Sequence, residues 1–538
     1  MKPFDATGAF RPSSEGVRRL AVRGAAVTVF GQGLALTVQI IATVVLARLL
    51  TPGDFGVVTM VTTFSLLLMN FGVNGFTEAV IQLERIDDAI ASNLFWINLA
   101  AGVVLTIGFA AAGSLLAWFY RDARVASVTF GISPTIFITS TSVLHLALLK
   151  RAMRFSVVSA NDILARAVSV TVSIFLAWAG WKYWALVAGV LALPLITSIG
   201  AWELCRWVPR PPRRVPGTAS VVRFAMHVYG QFSVNYFARN TDNLLVGWRF
   251  NAQALGVYKK AYDLFALSVS QLVSPLTAVA VSALSQFRRD SVQYRRYLLS
   301  TLGVMAFVGM GVGADLTLVG KDIIRLLLGP RWEESGRIFA FFGPGIGIML
   351  LYTTHGWIHL SIGRADRWFR WSVVEFVFTG LLFILGLHWG PAGVALAWTA
   401  SFWLLTIPAF WYAAKPLRLG VFPVIAAVWK YVLASLLAGC ASGLIVREAG
   451  ALYASYGPRA AFVRIVSTSA LFGALYLSAV ILFHRGCDPL RLVAGLMREI
   501  FPRSRSTKPF IPVPSISGPM GAKPASAGQG AVSALTGS

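Results

Sequence analysis

The sequence predicts an all-α polytopic membrane protein of about fourteen transmembrane helices, in two six-helix lobes plus an appended helix pair. Its 538 residues are 56% hydrophobic and only 13% charged, with a mean hydropathy of +0.69; a soluble domain usually carries about a quarter charged residues. The apolar residues fall in long continuous runs rather than alternating ones, and hydrocarbon tolerates only helices or closed barrels. The formal charge is +25, from 47 Lys+Arg against 22 Asp+Glu. On so apolar a chain, that excess fits loops held against an anionic membrane face better than nucleic acid, and no nucleic-acid partner is expected. Three cysteines, Cys205, Cys440 and Cys487, are too few and too scattered for a disulfide framework or a metal knuckle.

At about 20 residues per membrane-crossing helix, the apolar runs place spans at 24–47, 56–80, 91–119, 125–149, 160–180, 183–205 and 219–245, then at 263–286, 298–319, 338–360, 370–388, 391–413, 424–446 and 461–483. Residues 1–23 are polar and basic, and the first apolar run is too long for a signal-peptide core, so it reads as an uncleaved span. With an inside N-terminus, 31 of the 47 basic residues fall in cytoplasmic segments and 14 in outward ones. By the positive-inside rule both termini are expected in the cytoplasm. Trp118, Tyr120, Trp181, Tyr183, Trp184 and Trp389 stand near span ends, where interfacial aromatic belts form.

The expected organisation is a cytoplasmic N-terminus (1–23), an N-lobe of six spans (24–205), a linker (206–218), a C-lobe of six spans (219–414), an appended pair (415–484) and a cytoplasmic tail (485–538). The linker, RWVPRPPRRVPGT, is rich in Pro and Arg. The two halves share an echo: RLLTPGDFGV at 48–57 follows span one and RFNAQALGV at 249–257 follows span seven. Each sets an Arg about two turns ahead of a Gly-Val step. Two unrelated interhelical turns could look alike, but the echo fits parallel repeats about an axis normal to the membrane. From residue 502 onward the tail is rich in Ser, Pro, Gly and Ala and reads as disordered.

Ionisable groups within spans are costly and face a bundle interior or a wet cavity. In span seven, His227, Gln231, Asn235, Arg239 and Asp242 fall within about 120° of a helical wheel, with Asn240 on the other side. The stripe could line an aqueous cavity in which Arg239 holds a phosphate; alternatively Arg239 and Asp242, at i and i+3, form an internal pair that only packs the helix. Span five places Asp162, Arg166, Ser169 and Ser173 within about 60°, again with a possible carboxylate–guanidinium pair. Snorkelling at a span end is the bland alternative there. Span eleven offers Ser372, Glu375 and Thr379 on one face. His355 and His359 lie one turn apart in span ten; with no third ligand in view they read as packed or hydrogen-bonding histidines rather than a metal site. Glu78 and Asp315 stand near span ends. Gly309–Gly313 reads as a close helix crossing.

No Walker loop, His-Glu-x-x-His pair or Gly-x-Ser-x-Gly elbow is present. No catalytic residue, metal or cofactor is therefore expected. A membrane-embedded glycosyl-transfer enzyme would show large outward loops, and every outward loop here is short.

Two stretches carry a family resemblance. ARLLTPGDFGV at 47–57 resembles the opening signature of the polysaccharide-transporter (Wzx-type flippase) family, within the multidrug/oligosaccharidyl-lipid/polysaccharide exporter superfamily. YFARNTDNLLVG at 236–247, followed by ALGVY at 254–258 and Ala261-Tyr262, is similar to the seventh-helix signature of the colanic-acid and succinoglycan transporter subgroup. The resemblance spans roughly residues 15–485. It implies a V-shaped pair of lobes that alternate access to a cationic cavity in the bacterial inner membrane. The implied cargo is an undecaprenyl-pyrophosphate-linked oligosaccharide repeat unit, and polymerase and export machinery are the further partners it suggests. Within that reading Arg239 or Arg166 would meet pyrophosphate, with Gln231, Asn235 and His227 in the sugar-facing cavity. Asp242, Asp162 and Glu375 are the candidates for ion coupling. A drug exporter of the same superfamily is the alternative; arginines on the same stripes as the acids speak against cationic cargo.

Overall fold

A computed structural model describes residues 17–491, with breaks at 84–85, 418, 451–452, 454, 456 and 488–489, and ahead of them residues 3–5 and 7–10. The tail expected to be disordered, and most of the first 16 residues, lie outside the described residues. Among the described residues the chain is helical and, two isolated bridges near the N-terminus apart, has no strand. The helices are α1 (Val17–Leu49), α2 (Pro52–Gln82), α3 (Asp88–Ala111), α4 (Gly113–Tyr120), α5 (Arg124–Ile132), α6 (Pro134–Arg151), α7 (Phe155–Trp178) and α8 (Tyr183–Cys205). They continue with α9 (Thr218–Arg249), α10 (Ala252–Gln286), α11 (Ser291–Leu328), α12 (Glu333–Ser361), α13 (Ala365–Gly386), α14 (Gly390–Ala414), α15 (Phe422–Glu448) and α16 (Ala460–His484).

Every expected span falls on a helix or on a pair of helices broken in mid-run. The third run breaks at Ala112–Gly113 and the fourth at Ser133, ahead of Pro134, whose ring and missing N–H stop an unbroken ladder. Among the described residues, ten segments are long and apolar enough to cross a membrane, against the fourteen spans expected, one of them, Asp366–Leu417, joining α13 and α14. The chain is thus a multi-pass membrane protein. α1, whose apolar stretch is the shorter Leu36–Leu49, and α9 and α10 are not among the ten; α9 carries the polar stripe.

Polar and small residues join the helices where apolar driving force is weak. Asn98 of α3 donates to the Ser140 carbonyl of α6, and Asn161 of α7 to the Thr197 carbonyl of α8. The Gly309–Gly313 crossing forms as expected: both glycines face α12, Gly309 against Gly347 and Gly313 against Gly343. α15 and α16 pack on each other and on α11. Arg464 of α16 reaches Asp322 of α11 with both guanidinium arms, Nε at 2.6 Å, and Ser469 donates to Asp315.

The two echoed motifs meet. Thr51 caps α2 in a capping box with Asp54, and the Asn251 side chain caps α10 by accepting from the Ala254 N–H. A Cβ on Gly56 would lie 1.7 Å from the Ala252 carbonyl oxygen, and one on Gly256 would lie 1.8 Å from that of Pro52. Each helix start therefore rests on the other's glycine, reciprocally, as a local two-fold relation requires. Arg48 donates to the carbonyls of Leu326 and Leu327, and the buried Trp332 donates to that of Ala47, fastening α1 beside this contact.

Of the aromatics expected at interfaces, Trp118, Trp181 and Trp389 are exposed, whereas Tyr120 is buried against Phe64 and Gly247. Position near a span end places a ring by depth and leaves open which side of the helix meets neighbours.

Candidate functional site

α9 is held on α2 by one face and open on another. Tyr229 and Tyr236 donate their hydroxyls to the Leu67 and Thr63 carbonyls of α2, at 3.1 and 2.7 Å. On a different face His227, Gln231, Asn235 and Arg239 are all exposed. The 3.6-residue period that predicts the stripe thus places four of its five members in open space.

Gln231, Asn235 and Arg239 line a cavity of about 150 Å³ whose other walls come from α12 (Tyr352, His355), α13 (Trp368, Ser372, Glu375, Thr379) and α14 (Trp398, Phe402). Arg239 Nε donates to Asn235 Oδ1 at 3.2 Å. Glu375 sits within electrostatic reach of Arg239 and of the Tyr352 hydroxyl. That hydroxyl in turn accepts from Trp371 Nε1 at 2.9 Å. The expected span-eleven face is complete, since Ser372, Glu375 and Thr379 all reach the cavity. A guanidinium with one neutral partner and one carboxylate nearby keeps donors for an anion.

Asp242 departs from the stripe. It does not pair with Arg239; it is fully buried behind the cavity wall, where Tyr258 and Trp398 Nε1 both donate to its Oδ2, at 2.7 and 2.8 Å. Its Oδ1 has no partner. At i+3 a side chain is rotated about 60° short of a full turn, enough to carry Asp242 from the open face into the packing of α10 and α14. A buried carboxylate oxygen without a partner is costly.

His227 is exposed on the α9 face but does not line the cavity. Asp162 and Arg166 form their expected pair, Nε to Oδ2 at 2.9 Å, with side chains 48% and 44% exposed, and they do not line this cavity either. The serines of that stripe go elsewhere: Ser169 donates to the Gly189 carbonyl of α8, and Ser173 is buried against Gly189. His355 and His359 are buried 6.0 Å apart, centroid to centroid, among Tyr352, Trp371 and Tyr412. Among the described residues no group of three His, Cys, Asp or Glu could hold a metal ion. The aromatic walls, Tyr352, Trp368 and Trp398, were not singled out in sequence. An apolar groove of about 340 Å³ lies apart from the cavity, between α15 and the pair α12 and α14, along Leu302, Ile348, Trp403, Val428 and Leu436.

The chain matches the model of the polysaccharide biosynthesis protein family over residues 45–337. It is 24% identical over 332 residues to the teichuronic acid biosynthesis protein TuaB of Bacillus subtilis, covering 61% of this chain and 66% of that one. Over 474 residues it is 20% identical to the succinoglycan biosynthesis transport protein ExoT of Rhizobium meliloti, covering 86% of this chain and 92% of that one. Among solved structures, its fold is similar to that of the lipid II flippase MurJ in an inward closed conformation. The TM-score is 0.68 at 14% identity, over 86% of this chain and 99% of the other.

Proposed function

Since the chain belongs to the polysaccharide biosynthesis protein family, we propose that it is a flippase for undecaprenyl-pyrophosphate-linked oligosaccharide repeat units. It turns them from the cytoplasmic to the periplasmic leaflet of the bacterial inner membrane by alternating access between two six-helix lobes, and both its termini lie in the cytoplasm. The observation that carries this reading is Arg239, a guanidinium with spare donors inside a multi-pass bundle, set between neutral hydrogen-bonding groups and aromatic walls.

The geometry supports a division of labour. A pocket for a drug-sized ligand runs to about 300–1,000 Å³, so a cavity of about 150 Å³ takes a phosphate and its waters but not an oligosaccharide. The pyrophosphate docks at Arg239, with Gln231 and Asn235 beside it, while the glycan occupies space opened by lobe motion. The isoprenoid tail stays in hydrocarbon; the groove along α15 has the apolar lining such a chain needs. Asp242, buried with a bare oxygen, and Glu375, on the cavity wall, are the carboxylates that take up the coupling proton or cation, while Arg239 keeps its charge for the cargo. Asp162 and Arg166, exposed and mutually paired, hold the weaker claim. The protein works as a transporter, passing its cargo to polymerase and export machinery, and performs no bond chemistry.

A deletion strain should accumulate lipid-linked repeat units and lose surface polymer. Arg239→Ala should fail to restore export while remaining in the membrane at wild-type level. Full export from a well-inserted Arg239→Ala protein would remove Arg239 from the site. Normal polymer in the deletion strain together with altered drug sensitivity would favour a small-molecule exporter.

A further inference from the structure

A second cleft, sharing no lining residue with the Arg239 cavity, opens between α3, the linker and the first turns of α9, with a volume of about 920 Å³. The Pro- and Arg-rich linker is fastened to α3. Trp207 Nε1 and Arg210 Nε reach the two oxygens of Asp88, both at 2.7 Å. The Arg210 N–H donates to Ser92 Oγ at 3.0 Å, and Trp96 Nε1 donates to the Arg210 carbonyl at 2.8 Å. Asn93 closes a reciprocal pair with Arg213, accepting from its N–H at 2.9 Å and donating to its carbonyl at 2.6 Å.

This fastening sets Arg213, Arg214 and Arg223 around one opening. All three are exposed, the cleft lining holds no carboxylate, and none of the three forms an ion pair among the described residues. The carboxylate on this part of α3, Asp88, is already occupied by Trp207 and Arg210. The wall between the arginines is apolar: Trp96 and Ile97 are 39% and 38% exposed, with Ala100 and Val222 beside them. A cationic rim over an apolar wall matches an amphiphile with a phosphate head and a hydrocarbon chain. A free anion would gain nothing from the wall, and a neutral lipid nothing from the rim.

We propose that this cleft is a binding site for an anionic glycerophospholipid of the cytoplasmic leaflet, its phosphate held by Arg213, Arg214 and Arg223 and its chain lying along Trp96 and Ile97. The site rests on the cytoplasmic placement of the linker and not on the cargo: basic pockets between helices on that side hold anionic head groups, and the separation from the Arg239 cavity suits a resident lipid. Bound there, the lipid touches α3, the linker and α9 at once and braces the junction between the two halves.

The test uses the full chain in detergent, with thermal unfolding read as lipid is added. Phosphatidylglycerol should raise the melting temperature and phosphatidylcholine should not, because a ligand that binds only the folded state stabilises it. Each arginine replaced should weaken apparent affinity about fivefold, and Arg213→Gln/Arg214→Gln/Arg223→Gln together should abolish the shift. Arg288→Gln/Arg289→Gln, at another basic turn, should leave it intact, and added salt should reduce it. Equal stabilisation by phosphatidylcholine or by free pyrophosphate would overturn the proposal, as would an undiminished shift in the triple variant. A shift given by a polyprenyl pyrophosphate but not by phosphatidylglycerol would overturn the phospholipid and assign the cleft to cargo. No arm measures transport, so failure here is separable from failure of the flippase reading.

Discussion

Asp242 and Arg239 stand three residues apart and do different work. Arg239 opens onto the cavity, whereas Asp242 is enclosed by Tyr258 and Trp398 with one oxygen bare. Asp242→Asn keeps an acceptor for both donors but cannot take up a proton or balance a cation. It should therefore leave expression and melting temperature near wild type while export loses its dependence on the ion gradient. Unchanged, gradient-dependent export by Asp242→Asn would assign Asp242 a packing role. At this scale the sequence revealed which polar residues share a helical face, because the 3.6-residue period is local. It was silent on Tyr352, Trp368 and Trp398, since an aromatic in an apolar run has the same neighbours in sequence whether it faces lipid, core or cavity.

Among the elements, the starts of α2 and α10 make the tightest approach described above. Gly256→Val puts side-chain atoms where the Pro52 carbonyl lies, and a backbone carbonyl cannot swing aside as a side chain can. Overpacking of this kind costs about 1–3 kcal/mol, and the melting temperature should fall accordingly; a wild-type melt would show that the two helices separate freely. The appended pair is tied down by a different device. Arg464→Leu strands Asp322, which is only 6% exposed, without its ion-pair partner. Loss of one partner of a fully buried pair costs about 3–5 kcal/mol; with Arg464 39% exposed the expected loss is nearer 1–3 kcal/mol. Restoration by the added change Asp322→Asn, measured in the same melt, identifies the stranded charge as the cause. The repeat echo was legible in sequence. That the two copies touch was not, because a Gly-Val step after a turn does not name its partner.

For the whole molecule, the charge distribution makes a topological prediction. A reporter active only in the periplasm, fused after residue 490, should be silent, and a fluorescent protein at the same place should glow. An active periplasmic reporter would mean an odd number of crossings and would undo the assignment of 31 basic residues to the cytoplasmic face.

Composition and apolar periodicity determined by themselves that the chain is helical, where its helices run and which of their faces are polar, since hydrocarbon forces every backbone group into its own helix and each helix is then read locally. Tertiary structure decided what each polar face meets. It split the span-seven stripe between an open cavity and a buried carboxylate, turned the serines of span five into helix-packing contacts, and brought a proline- and arginine-rich linker to rest on α3. Those outcomes depend on which helices become neighbours, a matter of packing between segments far apart in the chain that no local period encodes.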